Sequence, residues 1–371
     1  MEPDTPGTDE IIRLESIWSG YTPPSIPIVL SDAEGASLWD VEGRQALDFW
    51  CGDAGLILGH RHPSLIRAME QQSQHITLTP LQCFHTRQGQ FCRRLALVTG
   101  FDLVKTFAST SQTFEEALHV ARLWGAIERG IPIPEAEILF SDANDLETIA
   151  HDITPRTVAI VIHLLAPTRP LVPPPEDFFL HLEEIRNKNH LLVIADESAT
   201  SLGRSGSWLL CHRYDFKPDI VCMGEELGGG IIPQSALLLR RHVVDRIARH
   251  HPESPHARSP LAAVIGLAVL DTIELESLAL RAEERGKEFR AELQDLVGNC
   301  LVNVDGIGSI NSIVLLPDVD VTDFCSRLAA QGVLAQPVLP DSVRFSPPLT
   351  LTRQELEMAI AAIRRAVGAP R

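Results

Sequence analysis

The sequence predicts an α/β protein with a mainly parallel central sheet and a second, smaller α/β domain. Two observations carry this. Between Thr157 and Ala195 an apolar strand, an amphipathic helix and another apolar strand follow one another, which is the alternation of a crossover unit in a parallel sheet. After Pro260 the texture changes to long helices around a short strand. With 371 residues and 44% hydrophobic content, the chain can bury a large core and divide into two or three domains. The expected division is an N-terminal arm and hairpin over 1–54 that packs with the small domain, a large domain over 55–255 and a small domain over 256–371.

Taken in order, Leu38–Trp50 reads as a hairpin, with Gly43 at a turn position of positive φ. Pro63–Gln74 reads as a helix with proline in its first turn. Thr113–Arg122 is a second, with Phe114, Leu118 and Ala121 on one face. Thr157–Leu165 is a buried strand, Pro175–Asn187 a helix carrying Phe178, Leu182 and Ile185 inward, and His190–Ala195 the next strand, ending on Asp196-Glu197. Ligands of parallel sheets sit beyond the carboxyl ends of the strands, so Asp196 is placed as a site residue. Leu261–Leu275 and Ala279–Val297 read as helices, Ser312–Leu316 as a strand, and Thr322–Gln331 and Thr352–Val367 as helices. Pro23-Pro24, Pro173-Pro174-Pro175 and Pro252–Pro260 mark loops.

Composition removes several function classes. A net charge of −17 argues against nucleic-acid backbones and anionic membranes. No apolar run reaches membrane-spanning length, and Met1–Thr5 has neither a basic nor an apolar segment of a secretory signal. The expected location is the cytoplasm, in keeping with seven scattered cysteines that form no Cys-x-x-Cys pair. Among fourteen histidines, His60/His62 and His250/His251 are too closely spaced for two ligands on one helix face, and no metal site is expected.

Several motifs in order resemble one family. Leu58-Gly59-His60-Arg61-His62-Pro63, Phe107-Ala108-Ser109 with Glu116–Arg122, Ile194-Ala195-Asp196-Glu197, Gly203-Arg204-Ser205-Gly206, Lys217-Pro218-Asp219-Ile220, Leu227-Gly228-Gly229-Gly230 and Val343–Leu349 are similar to those of class III aminotransferases of the acetylornithine/ornithine type. The resemblance runs from Leu38 to the C-terminus. It implies fold type I of the pyridoxal phosphate (PLP)-dependent transferases, and a homodimer. It also implies a Gly-Lys-x-Leu-Gly-Gly-Gly segment whose lysine holds the cofactor as a Schiff base. Here that segment is Gly224-Glu225-Glu226-Leu227-Gly228-Gly229-Gly230.

A carboxylate forms no imine with an aldehyde, so Glu225 can move a proton but cannot hold the cofactor covalently. The four lysines, Lys105, Lys188, Lys217 and Lys287, offer no neighbouring substitute. By resemblance, Asp196 faces the pyridine nitrogen, Ser198 and Ala199 stand at the ring-packing and amide positions, and Thr110 and Ser111 lie in a phosphate loop that lacks its usual glycine. His163 falls where the family has a glutamate, Arg344 where it binds substrate carboxylate, and His85 near its substrate region. The ring-stacking aromatic-His-Gly-Arg segment and the cross-subunit threonine have no clear match.

These changes agree with one another. They lead to the expectation of an aminotransferase-fold protein with a degenerate PLP site, a pseudoenzyme acting through assembly or ligand binding. The alternative is an enzyme working without an internal aldimine. It would use Glu225 as acid/base, with PLP or pyridoxamine phosphate (PMP) held non-covalently or with no cofactor. A conventional aminotransferase comes last. Expected partners are a second copy, a small amine or carboxylate ligand, or an active paralogue.

Overall fold

The computed structural model describes residues 7–20, 26, 28–53, 55–80, 82–142, 146–165, 171, 174–175, 177–245 and 255–368. The loops expected at Pro23-Pro24 and at Pro173, the His250-His251 pair and 252–254 of the Pro252–Pro260 stretch lie outside these residues, as does Met1–Thr5.

The strands, in chain order, are β1 (Leu30–Glu34), β2 (Ser37–Asp40), β3 (Gln45–Asp48), β4 (Leu103–Phe107), β5 (Glu137–Asp142), β6 (Thr157–His163), β7 (Leu192–Asp196), β8 (Ile220–Met223), β9 (Ser235–Leu239), β10 (Leu301–Ile307), β11 (Ile310–Leu315), β12 (Val333–Leu334), β13 (Gln336–Val338) and β14 (Ser342–Phe345). They form three sheets. The largest has the order β4-β9-β8-β7-β6-β5. Strands β5 to β8 run parallel and β9 antiparallel to both neighbours. The second is β10-β11-β14-β13, and the third is the N-terminal hairpin extended by β12. Leu47 and Asp48 of the hairpin pair in parallel with Val333 and Leu334.

Strands β6 to β9 of the large sheet are buried on both faces, which is why they are apolar runs rather than alternating ones, while β4 and β5 at its edges are partly exposed. In β6, Ile160 and Ile162 pack on the side of the Pro260–Leu275 helix, while Ala159 and Val161 pack under the Thr110–Arg129 helix. The register places Asp142, His163, Asp196 and Cys222 side by side across β5, β6, β7 and β8. Polarity therefore begins where the strands end.

Helices begin and end on identifiable chemistry. The helix expected from Thr113 starts at Thr110, because Ser109 caps it by accepting from the Gln112 amide at 3.3 Å, and it runs on to Gly130, whose φ of 68° ends it. His190 stops the Phe178–Asn189 helix in the left-handed region, so β7 begins at Leu192 rather than at His190. Ser259 caps the Pro260–Leu275 helix, with proline in the first turn. The stretch read as one helix to Val297 is an α-helix over Leu278–Leu293 and a 3-10 turn over Gln294–Leu296.

Candidate active site

The carboxyl ends of β6, β7 and β8 and the start of the Thr110–Arg129 helix converge on one region. His163, the last residue of β6, lies beside Asp196, the last of β7, with Nδ1 2.8 Å from Oδ2. The other Asp196 oxygen accepts from the Ser198 amide at 3.0 Å. Burial opposes ionisation of Asp196, but the bonds from His163 and Ser198 win and hold its carboxyl below the usual range. The same bond to Asp196 raises the imidazole against its partial burial, with Asp142 adding to the effect. Both shifts favour the charged pair, with Nδ1–H donating to the carboxylate. The ring of Phe114 lies nearly parallel to His163, with centroids 5.9 Å apart and planes at 10°, and Phe140 lies 6.3 Å away at 20°. The imidazole thus contacts a carboxylate and two aromatic rings.

Glu225 opens a 3-10 turn, Glu225–Gly228, directly after β8. Its Oε1 accepts from the Thr110 amide at 3.2 Å. That amide belongs to the first turn of a 20-residue helix, where unpaired N–H groups and the helix dipole favour an anion. The carboxylate supplies that anion from within the chain. Gly224 lets the turn approach the loop after β7: a Cβ there would stand 2.3 Å from the Ser198 carbonyl oxygen, so only glycine fits.

Glu226, the next residue, points the other way and is 4% exposed. Ser201 Oγ donates to it. Burial pushes its carboxyl up to about 7, against the bond from Ser201 and the field of Arg204. Arg204 is itself fully enclosed and donates to the Pro347 carbonyl at 2.9 Å. Neither residue was singled out from the sequence as a site residue. Glu226 falls on the variable position of the Gly-Lys-x-Leu-Gly-Gly-Gly pattern, which gives no sign of its burial.

The other expected site residues are placed as follows. Ser111 is exposed in the first helical turn, and Ser198 and Ala199 lie half-buried in the turn after β7. Arg344 is buried on β14, facing Ser312 and Gln336 in register, and burial lowers its guanidinium pKa. His85 is drawn elsewhere: Nε2 lies 2.7 Å from the Arg258 carbonyl, and Nδ1 accepts from the Arg87 amide at 3.3 Å. Lys105 is bound to Glu116 at 2.6 Å and Lys287 to Glu283 at 3.0 Å. Lys188 and Lys217 precede β7 and β8, at the opposite edge of the sheet. Among the described residues no group of three or more His, Cys, Asp and Glu could hold a metal ion, and no helix is long and apolar enough to cross a membrane.

Known proteins match this architecture over nearly its whole length. The mitochondrial ornithine aminotransferase of Arabidopsis thaliana is 29% identical over 393 residues, covering 94% of this chain and 83% of that protein. The ornithine aminotransferase of Bacillus subtilis is 29% identical, with 96% of each covered. Among solved structures, the ornithine δ-aminotransferase of Plasmodium falciparum superposes with a TM-score of 0.92 at 26% identity, covering 98% of both chains. The acetylornithine aminotransferase of Elizabethkingia anophelis superposes with a TM-score of 0.91 at 29% identity, covering 98% of this chain and 99% of that one. The fold is accordingly type I of the PLP-dependent aminotransferases. Residues 20–138 and 134–367 match the sequence profile named "Aminotransferase class-III", and the chain belongs to that family.

Proposed function

We propose that this chain is an aminotransferase-fold protein that has given up the internal aldimine and does not act as a conventional transaminase. The observation that carries the reading is the bond from the Thr110 amide to Glu225. Glu225 stands where the family resemblance puts the Schiff-base lysine. Its carboxylate takes the helix start that would otherwise receive the cofactor phosphate. A second anion there would meet like charge at short range. The other end of the cofactor position is engaged as well. His163 and Ser198 each already engage one Asp196 oxygen, so a pyridinium would have to share that carboxylate. These residues do not fit PLP, and no catalytic step is assigned to it.

The site is thus satisfied by its own side chains: imidazolium on Asp196, carboxylate on the helix. We read the chain as an N-terminal arm over 1–54, a large domain over 55–255 and a small domain over 256–371, assembled as a homodimer. The Thr8–Trp18 helix supports assembly. It buries none of its residues in the single chain and leaves Ile17 56% and Trp18 82% exposed.

The test is the visible spectrum of purified protein incubated with PLP, followed by borohydride and peptide mass analysis. No fixed adduct on any lysine is expected. An adduct on one of the four lysines, accompanied by amino transfer from ornithine, overturns the proposal. Calorimetry with PMP distinguishes the acid/base alternative, in which Glu225 works on a cofactor held without a covalent bond.

A further inference from the structure

Glu226 lies in the turn that carries Glu225, yet it is enclosed while Glu225 is exposed. Its Oε1 accepts from Ser201 Oγ of the loop after β7. Its Oε2 folds back over the preceding backbone, so that a Cβ on Gly224 would stand 2.4 Å from it. The charged group facing it from that loop is Arg204. Beyond Arg204, Asp48 and Cys51 of the N-terminal segment share the arginine's field, and Asp48 is also engaged by His60 at 3.0 Å. Glu197, the other enclosed carboxylate of the loop, is turned away toward Thr200, Leu210 and Cys211. Glu226 therefore accepts from one hydroxyl and from the Gly224 and Glu226 amides, with one cation in its field. Burial raises its carboxyl to about 7, so its charge changes close to neutral pH.

We infer that the Glu225–Gly228 turn is a proton-operated latch on the start of the Thr110–Arg129 helix. With Glu226 neutral, the turn packs as described and Glu225 reaches the Thr110 amide. When the proton leaves, a charge appears in an enclosed space. The turn relieves that cost by moving outward, which withdraws Glu225 and uncovers the helix start. The inference goes beyond the absence of an internal aldimine. It stands or falls on Glu226 alone, whether or not the chain holds a cofactor.

Hydrogen exchange of the peptide spanning Ala108–Thr113, followed by mass spectrometry from pH 5.5 to 8.5 and corrected for the intrinsic rate, tests it. Protection in the wild-type chain is expected to fall at least tenfold across one single-proton step. Glu226→Gln is expected to keep its protection throughout. Ser201→Ala removes the hydroxyl donor that favours the charged form, and so moves the step to higher pH. This second variant keeps the test open if Glu226→Gln does not fold. His163 is the other titratable group at this end of the sheet, and His163→Gln is expected to leave the step in place. A flat wild-type profile, an unchanged step in Glu226→Gln, an unmoved step in Ser201→Ala or a step abolished by His163→Gln overturns the latch.

Discussion

Asp196 and Glu226 are both sheltered carboxylates at the same edge of the central sheet, and their charges are set in opposite directions. Asp196 has a cationic partner in direct contact, His163 at 2.8 Å, and its pKa falls despite burial. Glu226 has only neutral donors in contact, the Ser201 hydroxyl and the Gly224 and Glu226 amides, with a guanidinium in its field, and its pKa rises to about 7. Glu197 sides with Glu226: it accepts from Thr200, Leu210 and Cys211, all neutral, and is still raised. Neutral donors soften burial, but a bonded cation reverses it. In this site a bonded partner inside the chain, and not burial alone, sets which carboxyl is lowered.

The comparison can be broken most forcefully at Arg204. Replacing this enclosed guanidinium with alanine leaves the Pro347 carbonyl without its donor and Glu226 without its cation. A loss of about 3–5 kcal/mol in chemical denaturation is expected, as for other buried charges stripped of a partner. Next comes Glu226→Gln. A carboxyl raised from 4.5 to about 7 favours the folded state fully at low pH and loses that advantage as pH rises through about 7. The difference between pH 4 and pH 8 is roughly 3 kcal/mol. Wild-type stability, followed by urea midpoint, should fall over that window, and the variant should flatten it.

His163→Gln should have a smaller effect, about 1–2 kcal/mol, from the lost charge-assisted bond to Asp196. The signs are opposite for the two partners. His163, raised, stabilises below its unfolded value near 6.5 and ceases to as pH rises through its folded value. Asp196, lowered, stabilises above its unfolded value near 3.8 and ceases to as pH falls through its folded value. The wild-type advantage over the variant should therefore be largest between those limits.

Much of the fold was legible because burial imposes period. Thr157–Leu165, Pro63–Gln74 and Leu261–Leu275 were each placed within two residues of the observed elements. The short strands β4, β5, β8 and β9 were not identified as such; four to six residues leave too little pattern. The site was legible in part. Asp196 and Glu225 were found through strand ends and motif order. His163 was found, but not its ion pair, because cross-strand register is absent from a linear sequence. Glu226 was missed because neighbours in a 3-10 turn are carried about 120° apart, and only the surrounding chain decides which one is enclosed.

The central claim is that the site has departed as a whole and not by one lysine. The Glu225→Lys variant, incubated with PLP, fixed with borohydride and mapped by peptide mass, tests it most directly. The expected result is no adduct at position 225 and no amino transfer, because His163 still holds Asp196. A fixed adduct at position 225 with transamination of ornithine would contradict the account.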